Sequence, residues 1–159
     1  MSPDVPVQLY GVIGDGGILG TLRHPTMHPM EPLRLGLGLC HVRTQVALDE
    51  PRAPLPDALP LLTDSVLGYV EVVSREVPVI YVVAEDGGEA ACGWRAGELE
   101  LAPLRSLAGD APPRAGLLRR AEEPGAINAA LRWLGVPRQR GADRVTVVGL
   151  ADRERWEPT

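Results

Sequence analysis

The chain has 159 residues, 45% of them hydrophobic and 23% charged, with two cysteines and neither lysine nor phenylalanine. That excludes a disordered chain and a disulfide framework, and the length suits a single domain with its own core. Without lysine there is no Schiff-base chemistry, no pyridoxal phosphate anchor and no P-loop, and a net charge of −5 argues against nucleic acid as a partner.

Taken in chain order, residues 5–13 alternate and predict a strand, closed by a hairpin turn at Gly14-Asp15-Gly16-Gly17, where Asp-Gly favours the required positive φ. Residues 18–23 are then the returning strand, and Pro25, Pro29 and Pro32 make the next segment a loop. The Gly14–Gly20 run also resembles a dinucleotide-binding glycine loop, but that loop needs a helix behind it, and the prolines leave too little room. Residues 33–48 alternate with a phase change at Cys40-His41, which predicts two strands meeting at a bend or bulge.

A stiff proline-rich connection comes next, with at most a short helix over residues 57–62. Strands are expected at 66–73 and 77–84, then a second Asp-Gly-Gly turn, then strands at 89–95 and 98–101. Residues 108–113 read as a loop and 116–122 as a short helix. The clearest helix is 125–134, started by Pro124 and stopped by Gly135 and Pro137, and residues 144–150 read as a last strand.

The chain also matches itself at an offset of 71 positions. Tyr10, Val12, Asp15, Gly16 and Gly17 fall on Tyr81, Val83, Asp86, Gly87 and Gly88, and further identities run on to Arg43 and Arg114. The expected fold is therefore α+β: one domain over 1–159, with a mostly antiparallel sheet of about eight strands. It would be built from two pseudo-equivalent tandem halves, residues 5–74 and 77–151, with one clear helix and one or two short ones.

Every histidine and two of the methionines fall between residues 24 and 41, together with Cys40. Imidazole, thioether and thiolate suit zinc or copper, so His24, His28, Cys40 and His41 are the candidate metal ligands. The competing reading is a proline-pinned loop whose methionines cap the core. Cys40 and His41 are strand neighbours pointing to opposite faces, so they are not a nucleophile–base pair, and no catalytic set is assigned.

Residues 111–144 hold seven arginines against three acids, whereas residues 1–110 carry a net −8. Arg138, Arg140 and Arg144 are candidate contacts for an acidic partner or for the acidic half of a second copy. Trp156, in a polar tail, is a candidate interface anchor. No apolar run approaches the length of a membrane span, and the first residues carry no basic region leading into an apolar stretch. The functional expectation is a cytoplasmic, non-catalytic binding or assembly module. It acts through protein–protein contacts, as a homo-oligomer, with no nucleic-acid or membrane partner and no cofactor. The alternative is a zinc or copper protein, or a small metal-dependent enzyme, using residues 24–41.

Overall fold

The computed structural model describes residues 8–55, 59–85, 88–107 and 125–150. Its strands are β1 (Leu9–Asp15), β2 (Glu31–Pro32), β3 (Leu37–His41), β4 (Val79–Glu85), β5 (Gly88–Arg95) and β6 (Glu98–Leu107). They form one six-stranded sheet in the order β2-β3-β1-β4-β5-β6, with every neighbouring pair antiparallel. The α+β class is therefore correct. Among the described residues no helix is long and apolar enough to cross a membrane.

The sheet is a middle layer, and strand alternation divides the core into two. On one face Val12, Cys40, Val79, Tyr81, Cys92 and Trp94 meet Val66, Val70 and Val73 of helix α3 (Asp64–Ser74). Leu19 of α1 (Gly16–Thr21) and Ala47 of α2 (Thr44–Ala47) join that core. On the other face Ile13, Leu39, Ile80, Val82 and Ala91 pack against Ile127, Ala130 and Leu131 of α4 (Ala126–Leu134) and Val147 and Val148 of α5 (Arg144–Val148). β4 is buried on both sides, which is why its sequence is a continuous apolar run from Val79 to Val83. Each such fully buried aliphatic side chain contributes about 1.5–3 kcal/mol of transfer free energy.

Four expected strands hold helices, and one mechanism accounts for three of them, α1, α3 and α5. Asp15 does not open a hairpin; its side chain accepts the backbone N–H of Ile18 at 3.1 Å and caps α1. Thr63 caps α3 through the N–H of Val66 at 3.2 Å, and Asp143 caps α5 through the N–H of Thr146 at 3.0 Å. A side-chain acceptor at this position satisfies an otherwise orphaned donor and starts a helix. Valines dominate residues 66–73 and favour a strand, yet Val66, Leu67, Tyr69, Val70, Val73 and Ser74 are the buried set, a helical stripe.

The phase change at Cys40-His41 marks the end of β3, but α2 rather than a second strand comes after it. Of the sequence-derived helices, 125–134 is present as α4 and stops at Gly135, whose φ of 104° is left-handed. Gly125 offers α4 no cap of its own, so Ser106 and Glu89 accept the N–H groups of Ala126 and Ile127 at 3.0 and 3.1 Å. The expected helix at 116–122, the loop at 108–113 and the first two residues of the 57–62 helix lie outside the described residues; residues 59–62 are not helical, and Leu61 in their turn has a left-handed φ of 59°.

β1 and β4, which carry the matched Tyr10 and Tyr81, are the central pair of the sheet, and Gly11 lies opposite Val82. The two strands lead into different connections. After β1 the chain forms α1 and returns to the sheet through β2 and β3, whereas β4 pairs with β5, the next strand in the chain.

Candidate functional site

Because β3 rather than a hairpin partner lies beside β1, the end of α1 and the loop after it are folded over the end of β3. The result is a cleft of about 410 Å³. Leu19, Gly20, Leu22 and Arg23 line it from the end of α1. His24, Pro25, Met27, His28, Pro29 and Met30 line it from the loop, and Cys40 and Arg43 from the end of β3.

The loop is held on several sides. The N–H of His28 donates to the carbonyl of His41 at 2.7 Å, and that of Arg43 donates to the carbonyl of Thr26 at 2.7 Å. The Arg43 Nε–H donates to the carbonyl of Met27 at 3.3 Å. Thr26, fully buried, donates its hydroxyl to Glu50 at 3.2 Å, and the same carboxylate accepts Thr63 at 2.9 Å and Ser65 at 2.8 Å. One acid therefore ties the cleft wall to the first turn of α3. Sequence reasoning does not single out Glu50, because the three hydroxyls that mark it come together only in the fold.

Deeper in, Tyr69 reaches from α3 under the cleft. Its hydroxyl donates to the carbonyl of Leu22 at 3.4 Å and lies 3.6 Å from Cys40 Sγ. With the tyrosine proton engaged by Leu22, the thiol is the donor of the second bond. Burial pushes the Cys40 thiol up, so it is protonated at neutral pH and is not a nucleophile. The His24 ring stands edge-on to Tyr69 at 6.0 Å between centroids, and its Nδ1 accepts the N–H of Thr26 at 3.1 Å. The neutral ring therefore carries its proton on Nε2.

His24, His28 and Cys40 share the cleft, but His41 does not line it. His41 points to the opposite face of β3 from Cys40, and its Nε2 sits 3.2 Å from Glu31. Burial, with His28 nearby, lowers its pKa to about 4. The Glu31 carboxylate works against that shift, but it is 35% exposed and screened by water, so burial prevails. The imidazole is neutral and donates to Glu31. Among the described residues no group of three or more His, Cys, Asp or Glu side chains is placed to hold a metal ion.

The Gly14–Gly20 run does lead into a helix, but one of only six residues. Its first turn is already occupied by the Asp15 carboxylate, where a pyrophosphate would have to sit. Arg138 and Arg140 are exposed on the loop after α4, while the Arg144 Nε–H is turned inward onto the carbonyl of Val136 at 2.7 Å. Trp156 lies outside the described residues. Cys92 is buried in the core, its thiol pushed up to about 12.

No protein-family model, no curated protein and no solved structure matches the chain.

Proposed function

We propose that the chain is a non-catalytic binding module whose ligand site is the cleft between α1, residues 22–30 and the end of β3. The observation that carries this is a preformed concavity of about 410 Å³, inside the ~300–1,000 Å³ range of small-molecule sites, on a loop braced by Glu50, Arg43 and His41. Bracing of this kind lowers the ordering cost that binding would otherwise carry. The reading is non-catalytic because the thiol in the cleft is partnered by Tyr69 rather than by a base.

A fragment screen read by methyl signals of labelled methionine tests it. Met27 and Met30 line the cleft and are two of only three methionines in the chain. Fragments that shift these two signals together support the reading; a chain that ignores every fragment counts against it.

Protein contacts belong to the same proposal. The exposed loop carrying Arg138 and Arg140 is the face offered to an acidic partner or a second copy, and light scattering of an Arg138→Glu/Arg140→Glu variant would show loss of any self-association. The working compartment is the cytoplasm, where the buried thiols Cys40 and Cys92 stay reduced.

A second reading keeps a soft metal in the same cleft. It is favoured by two imidazoles, two thioethers and a thiol lining one cavity. Elemental analysis of untagged protein beside a His28→Ala variant decides it. Near-stoichiometric copper or zinc that falls in the variant supports the metal, and a metal-free protein that takes none up removes it.

A further inference from the structure

We infer that the cleft selects a small, flexible aliphatic carboxylate, held by Arg23 and Arg43 with its chain against Leu22, Met27 and Met30. The inference rests on the cleft being a ligand site and adds the chemical class. Charge is the first argument. Residues 1–110 carry a net −8, yet this cavity, built wholly from them, is lined by two arginines and no carboxylate. A cationic concavity in an acidic half favours an anion over a neutral or cationic ligand.

Geometry is the second. Arg43 has its Nε anchored on Met27 while Arg23 is exposed at the end of α1, so one guanidinium is fixed and the other can swing onto the ligand. A planar guanidinium fork matches a carboxylate with two parallel hydrogen bonds. Surface chemistry is the third. The apolar lining is leucine, proline and methionine with a protonated thiol, and its aromatic rings are only the imidazoles of His24 and His28. Thioether side chains adapt to flexible chains, whereas a site for an aromatic acid would offer Phe, Tyr or Trp faces for stacking.

The test uses the full chain labelled at the methionine methyl carbons. Titration with butanoate, hexanoate and octanoate is expected to shift the Met27 and Met30 signals, tightening about fourfold per added methylene as apolar surface leaves water. Octanol and octylammonium should bind about tenfold or more weakly than octanoate, because they lack the charge-assisted hydrogen bonds. Arg23→Gln, at an exposed position, should weaken octanoate about tenfold while leaving the spectrum of the free protein in place. Arg43→Gln should weaken it at least as much, and its free spectrum reports whether the loop still folds.

Octanol or octylammonium binding as tightly as octanoate overturns the inference. So does full affinity in Arg23→Gln and Arg43→Gln. If no acid shifts the two signals while other fragments do, the class is wrong and the cleft remains a ligand site. Silence toward every fragment overturns both.

Discussion

Glu50 and Thr26 are 24 residues apart, yet a hydroxyl–carboxylate hydrogen bond of 3.2 Å joins them and fastens the cleft wall to the body of the molecule. The same carboxylate serves Thr63 and Ser65, so removing it strands three donors together. Glu50→Ala is expected to lower stability by about 2–3 kcal/mol, since buried hydroxyls without acceptors carry a desolvation cost. Urea denaturation measures this. A double-mutant cycle with Thr26→Val should be clearly non-additive, and strict additivity would show that the contact contributes nothing.

Stability should depend on pH through His41. Its folded pKa of about 4 lies below the ordinary value of 6.5, so between these values the unfolded chain binds more protons. Stability contributed by the neutral imidazole is present above about pH 6.5 and is lost as pH falls toward 4. The full loss is on the order of 3 kcal/mol. Chemical denaturation midpoints measured across this window should decline in the parent protein and flatten in His41→Leu. Parallel curves for the two proteins would contradict the assignment.

The face of Trp133 rests on Gly93 in β5. A Cβ built at Gly93 would stand 2.6 Å from the indole Cζ3, while Arg95 stacks at 4.9 Å and Glu100 accepts the indole N–H at 3.1 Å. Gly93→Ala is therefore expected to dislodge the indole and destabilise by about 1–3 kcal/mol, as overpacking does. Thermal melting reads the cost. An unchanged Tm would mean that the α4–β5 contact has room that the structure does not show.

Both thiols should be slow toward a disulfide exchange reagent at neutral pH, because burial raises the pKa of each. Cys40 lines the cleft, but its burial outweighs the Tyr69 hydrogen bond, which acts in the opposite direction, so it is not a thiolate. Unfolding should release both at ordinary rates. Fast labelling of Cys40 in the folded chain would reopen a nucleophilic role.

β4 and α4 are legible in the sequence because their patterns are local: a continuous apolar run and a stripe ended by Gly135. The helices α1, α3 and α5 are legible in principle, since Asp15, Thr63 and Asp143 each precede by three residues the N–H that they cap. Asp-Gly-Gly and runs of valine carry strong turn and strand preferences, and those outweigh a cap that is only one side chain long. Tertiary burial reverses the balance at α3, where its valines and leucine fit the sheet face as a helix.

Length, composition and patterning determined by themselves the α+β class, and they pointed to residues 24–41 as the chemically unusual stretch. Only the tertiary structure decided how that stretch is arranged. Pairing of β3 with β1 brought Arg43 and Cys40 against a loop well before them in the chain, and it left His41 out of the cleft that His24 and His28 line. Glu50 then locked the loop through hydroxyls from two separate segments. Such a site depends on non-local pairing, in which the register of one strand sets which side chains share a face, and no local preference encodes that register.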